Sequence, residues 1–91
     1  MKVYIAGPIT RIFDYKRNFK QAERKLKMMG HTVLNPSFLP DGLNDYMPIC
    51  KCMIDQSDAL YFLRGWENSI GANEEMVHAK NVGKILLYEN N

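Results

Sequence analysis

Glu75 closes the stretch Ser69-Ile70-Gly71-Ala72-Asn73-Glu74-Glu75, whose residue types and spacing could do chemistry. At ~100° per residue, a helix starting near Gly71 gathers Ala72, Met76, Ala79 and Val82 into one apolar sector. Glu75 projects into that sector. Glu74 projects away, toward His78 and Asn81, and reads as a surface acid with His78 as its i,i+4 partner. An acid on the inward face of a first helical turn must be paired, set at a cleft, or costly. The helix dipole and free N–H groups there favour its ionised form. Such a carboxylate suits a nucleophile or base facing a small ligand. The plainer reading is a carboxylate that snorkels out from the edge of the core.

The other reactive residue types form no comparable pattern. Cys50 and Cys52 stand two apart, too close for an unstrained disulfide, and read as reduced thiols of a cytoplasmic protein. With only His31 and His78 beside them, the spacing of a structural zinc site is missing, so no metal and no cofactor is expected. The glycine-rich phosphate signatures of dinucleotide-binding and P-loop proteins are absent as well. A net charge of +2 argues against nucleic acid as the partner. No apolar run approaches the ~18 residues of a membrane span, and the opening strand is too short for a secretory leader.

Four short strands and three helices must position these residues. Residues 2–6 are an apolar run rich in β-formers that stops at Gly7-Pro8, as a buried first strand does. Gly7-Pro8-Ile9-Thr10 then lies at the ligand-binding end of an open α/β sheet. Over residues 14–29, Tyr15, Phe19, Ala22, Leu26 and Met29 recur at helical spacing, with Asp14 as N-cap and Gly30 as the stop. The outer face of that helix is basic, with Lys16, Arg17, Lys20, Arg24, Lys25 and Lys27, and reads as a solvated surface.

A second strand over 31–35 ends at Pro36. It is followed by a loop from Ser37 to Leu43, in which Pro40-Asp41-Gly42 signals a turn and which could form one wall of a pocket. Phe38 or Tyr46 could offer a stacking surface there, or simply fill the core. Residues 46–56 form a weaker helix, with Pro48 tolerated in its first turn. Residues 58–63 and 84–88 are the third and fourth strands. The order β-α-β-α-β-α-β predicts a single α/β domain over residues 1–91. Its four-stranded parallel sheet is ordered 2-1-3-4, with helices on both faces, a minimal flavodoxin- or Rossmann-like architecture. The loops after strands 1 and 3 then meet at one cleft, between Gly7–Thr10 and Arg64–Ala72.

With these elements in place, the chain resembles the nucleoside 2-deoxyribosyltransferase superfamily, especially its small bacterial and phage members. The likeness rests on Tyr4-Ile5-Ala6-Gly7-Pro8-Ile9-Thr10, Gly30-His31-Thr32-Val33-Leu34-Asn35-Pro36 and Ser57-Asp58. Its most specific part is Ser69-x-Gly71-x-x-x-Glu75-x-x-x-Ala79, followed by Gly83-Lys84. The resemblance covers nearly the whole length, although full-length members usually carry a fifth strand. It implies cleavage or transfer at the N-glycosidic bond of 2′-deoxynucleosides or their 5′-monophosphates, with Glu75 as the catalytic nucleophile that forms a covalent glycosyl intermediate. It further implies substrate contacts from Tyr4, Gly7, Pro8 and Ile9 and from Ser69, Gly71 and Ala72. Serine at position 69 matches the monophosphate-specific members.

Two positions depart from the family pattern. Cys50 stands where transferases commonly carry an aspartate that assists the leaving base. Thr10, with Arg11 beside it, stands where phosphate-binding relatives have arginine. Asp58 begins a strand at the end away from the ligand and reads as structural. The expected partner is a small nucleoside or nucleotide, and the expected assembly a homodimer or higher homo-oligomer. Two further expectations stand beside the enzyme: a non-catalytic module that senses or sequesters a nucleotide, favoured by Cys50, and a phage accessory protein with a vestigial cleft.

Overall fold

A computed structural model describes residues 1–10 and 12–89. Its strands are β1 (Lys2–Ala6), β2 (Thr32–Leu34), β3 (Ala59–Phe62) and β4 (Ile85–Tyr88). The helices α1 (Tyr15–Met28), α2 (Met47–Asp55) and α3 (Ile70–Asn81) alternate with them. The sheet is wholly parallel and ordered β2-β1-β3-β4, as the alternation of strand and helix predicts. No described helix is long and apolar enough to cross a membrane.

Both faces of the sheet are covered, which is why its central strands read as unbroken apolar runs. Val3 and Ile5 of β1, with Ala59 and Tyr61 of β3, pack against Phe19, Ala22 and Leu26 of α1. Their neighbours Tyr4, Ala6, Leu60 and Phe62 face the other way and pack against Cys50 and Ile54 of α2 and Met76 and Ala79 of α3. The period of two along β1 thus decides that Tyr4 looks toward α2 and α3.

Helix ends are set by backbone geometry. Gly30, at φ 91°, and Gly83, at φ 73°, each follow a helix in the left-handed region. In both, the next residue's N–H closes back on the last turn, His31 on Leu26 (3.1 Å) and Lys84 on Ala79 (2.9 Å). The apolar stripes therefore stop earlier than their period suggests. Met29 and Val82 are cap residues and are exposed, not part of the core. Asp14 precedes α1 in a left-handed conformation (φ 59°), and its side chain makes no cap hydrogen bond.

The sheet is clamped at the edge away from the site. The Asp58 N–H donates to the Lys2 carbonyl, and the Lys2 N–H donates to Asp58 Oδ2, both at 2.8 Å. The bond from the Lys2 amide holds the Asp58 carboxyl below its ordinary range. At the opposite edge β1 turns tightly across the end of β3, where the Leu63 N–H donates to the Ala6 carbonyl at 2.8 Å. A Cβ on Gly7 would stand 2.8 Å from Leu63 Cβ, so this turn admits no side chain. Gly7→Ala should destabilise the chain by about 1–3 kcal/mol in denaturant unfolding. An unchanged midpoint would show that the turn has slack.

Candidate functional site

Three elements converge on Glu75. Tyr4 rises from β1, Cys50 comes from the middle of α2, and Glu75 lies on the buried side of α3, 7% exposed. The Tyr4 hydroxyl donates to Glu75 Oε2 at 2.5 Å. The start of α3 is fixed beside them. Ser69 Oγ accepts from the Ala72 N–H (3.1 Å), and Asn73 Nδ2 donates to the carbonyls of Glu67 (2.9 Å) and Ser69 (2.8 Å).

Because α3 begins at Ile70, Glu75 belongs to its second turn and lies beyond the free N–H groups that the sequence places near it. The helix dipole fades over that distance. Burial therefore dominates and pushes the carboxyl up to about 7, against the pull of hydrogen bonds from Tyr4 and Cys50; nearby Glu74 adds to the rise. The expectation of an acid held ionised by helix N–H groups is corrected to one poised near neutrality. Burial likewise raises the Tyr4 hydroxyl, with the charge of Glu75 adding to it. It raises the Cys50 thiol as well, so both groups keep their protons.

Glu75 opens onto a cavity of about 230 Å³. Tyr4, Gly7, Ile9, Ser37, Tyr46 and Cys50 are among the residues that share its wall. The loop between β2 and α2 supplies the outer side. There the Tyr46 hydroxyl donates to the Pro40 carbonyl and accepts from the Leu43 N–H (3.3 Å), closing the turn that sets Asp41 at the cavity. Tyr46 is thus the aromatic of this loop that faces the cavity, while Phe38 is exposed. Asn35 holds the first part of the loop. Its Oδ1 accepts from the Ser37 N–H (2.9 Å), and its Nδ2 donates to Glu23 Oε1 on α1 (2.9 Å).

Three more of the expected contacts, Pro8, Ser69 and Gly71, line a second space of about 500 Å³, together with Ile9 and Arg64 among others. The loops after β1 and β3 do meet there, and Ile9 lines both spaces. Ala72 does not line either one; its side chain is buried and its N–H is occupied by Ser69. Arg11 lies outside the described residues. Among the described residues no group of three His, Cys, Asp or Glu side chains could hold a metal ion.

Glu74 and His78 do not pair. His78 Nε2 meets Asp55 Oδ1 at 2.8 Å, and Glu74 lies 3.5 Å from Lys51. Both partners come from α2, so tertiary neighbours displace the i,i+4 contact. The loop over residues 37–43, which the sequence offers as a pocket wall, does line the cavity, through Ser37, Leu39 and Asp41. Sequence reasoning missed the Tyr4–Glu75 bond, which the strand period together with crossover handedness could have found.

The chain belongs to the family described as "Domain of unknown function (DUF4406)", whose model matches residues 1–88. No curated protein matches it.

The raised carboxyl links stability to pH. A buried acid whose folded pKa exceeds its unfolded value of 4.5 contributes stability that is fully present below pH 4.5. That contribution is lost as pH rises through about 7. Between pH 4 and pH 8 the loss from this one group should be on the order of 3 kcal/mol. Glu75→Gln should flatten that part of the profile in chemical denaturation, and profiles that stay parallel across the window would contradict the assignment.

Proposed function

We propose that this chain is a nucleoside 2-deoxyribosyltransferase-like enzyme that cleaves or transfers the N-glycosidic bond of a 2′-deoxynucleoside or its 5′-monophosphate. The observation that carries the reading is a desolvated carboxyl, held by a tyrosine hydroxyl, that faces a cavity and, among the described residues, no cation. A glutamate spent on stability would pair with lysine or arginine or turn to water.

In this reading one Glu75 oxygen attacks C1′ of the sugar as the C1′–N bond breaks. The bonding electron pair leaves on the base nitrogen, which takes a proton from water at the cavity mouth. A water oxygen or the nitrogen of a second base then attacks C1′, loses its own proton, and releases the carboxylate. Tyr4 holds one carboxyl oxygen and so orients the other. Its hydrogen bond also favours the charged nucleophile over the neutral acid. Attack requires the ionised form, which burial confines to the upper side of about pH 7.

One observation favours a second reading, a module that binds the nucleotide without cleaving it. The thiol of Cys50 keeps its proton where a transferase would offer a carboxylic acid, and a thiol is a poor donor to a leaving base. Incubation of the protein with each deoxynucleoside monophosphate separates the two readings. The enzyme releases free base, and Glu75→Gln lowers the rate at least 1,000-fold, a loss of roughly 4 kcal/mol of transition-state stabilisation, while the fold persists. Binding without release selects the module, and undiminished release by the variant removes Glu75 from the chemistry.

The pH profile offers an independent check. Activity should fall on the acid side with a midpoint near 7, and Tyr4→Phe should move that midpoint upward by removing a donor to the charged form. A midpoint unmoved by the substitution would disconnect the tyrosine from the nucleophile.

A further inference from the structure

The side chains that line the Glu75 cavity offer a ligand chiefly acceptors. No lysine, arginine or histidine lines it among the described residues. Most of its hydroxyls and its thiol are already engaged or out of reach. Tyr4 donates to Glu75, and Tyr46 donates to the Pro40 carbonyl while accepting from the Leu43 N–H. The Cys50 thiol is turned to Glu75, and the Ser37 hydroxyl is itself buried. Tyr15 makes no hydrogen bond among the described residues, but a hydroxyl both donates and accepts and so discriminates little.

Asp41 is different. It lines the cavity, is exposed, and makes no hydrogen bond or ion pair among the described residues. Its position is nonetheless set. The Tyr46 hydroxyl bonds to the residues on either side of Asp41-Gly42, and Gly42 makes the turn in the left-handed region (φ 83°). Asp41 is thus held at the cavity before any ligand arrives, which lowers the ordering cost of binding. Its exposure also lets water screen it from Glu75, which a buried acid would not allow.

The strand order decides which part of a ligand meets it. Asp41 belongs to the loop after β2, whereas Ser69 and Gly71 follow β3 and line the second space. Between β2 and β3 lies β1, whose Tyr4 holds Glu75. A ligand whose reacting carbon sits at Glu75 therefore turns one arm toward Asp41 and the other toward the second space. The first arm passes Leu39 and Tyr46, walls that suit a flat ring. An ionised carboxylate only accepts hydrogen bonds. It stabilises an N–H group on the edge of that ring and repels a carbonyl oxygen there.

We propose that Asp41 is a specificity-determining residue, whose carboxylate accepts from the exocyclic amino group of the departing base and disfavours bases with oxygen at that position. This rests on the reading of the cavity as a deoxynucleoside site.

Calorimetric titration of the Glu75→Gln chain, in which turnover is suppressed, tests it with matched pairs that exchange an amino for an oxo group. The pairs are deoxycytidine with deoxyuridine and deoxyadenosine with deoxyinosine, each as the nucleoside and as the 5′-monophosphate. The control is 2-deoxyribose 5-phosphate, which has no base. In at least one pair the amino member should bind about tenfold tighter or more. Asp41→Asn should erase that preference, because a carboxamide can turn its NH₂ toward the oxygen, while affinity for the sugar phosphate and the thermal midpoint stay unchanged. Absence of a preference in both pairs overturns the inference alone. So does a preference that survives Asp41→Asn, or an equal loss on every probe with the sugar phosphate included. Failure of every probe to bind the chain with aspartate in place removes the deoxynucleoside site itself, and the inference with it.

Discussion

The burial of one carboxyl against one tyrosine is the constraint on which this small domain turns. Water would solvate Glu75 far better than the space between β1, α2 and α3 does, and the rise of its pKa to about 7 records that loss. The Tyr4 hydroxyl returns part of it. Neither group could be placed so without the sheet. Right-handed crossovers in the order β2-β1-β3-β4 put α1 on one face and both α2 and α3 on the other. Tyr4, on the α2–α3 face of a strand with neighbours on both sides, has little freedom to leave its partner.

Rigidity around this pair comes from contacts other than its own hydrogen bond. The Lys2–Asp58 clamp fixes β1 against β3 at the far edge, and Gly7 lets the strand exit flush against Leu63. The pairs His78–Asp55 and Lys51–Glu74 tie α3 to α2 along their exposed sides. Such exposed pairs contribute little stability singly, but they oppose sliding of the helix that carries Glu75. The wall formed by residues 35–46 is held differently, by side chains bonded to its own backbone through Asn35 and Tyr46. Two construction methods thus meet at one cavity, a packed sheet on the inside and a self-braced loop on the outside.

What the sequence disclosed follows from the range of each interaction. The strands are legible because a parallel sheet buried on both faces must be apolar throughout, and the strand order because crossovers have a fixed hand. Glu75 is legible because a carboxylate at an apolar helical position conflicts with its surroundings. Met29 and Val82 mislead because the apolar periodicity runs on into the cap residue, one position beyond the last helical residue and just before the left-handed glycine. The Glu74–His78 pairing fails because Asp55 and Lys51, on a neighbouring helix, lie closer than the sequence can show. Within the loop after β2, Ser37 carries no signature of its own: serine there is ordinary, and only coordinates reveal that its hydroxyl is buried.

The same desolvation gives Cys50 a physical reason. A second carboxylate at that position would share a cavity of about 230 Å³ with Glu75. Two like charges held that close cannot both ionise, and one would be driven to take up a proton. A thiol avoids the conflict, since burial raises its pKa and keeps it neutral while Glu75 ionises. It also lends a weak donor that pulls the Glu75 pKa down rather than a charge that would push it further up. If the proposed reaction is the one this cavity performs, the chain trades an acid for the leaving group against easier ionisation of Glu75, and that exchange would favour departing bases that need little help from a protein acid.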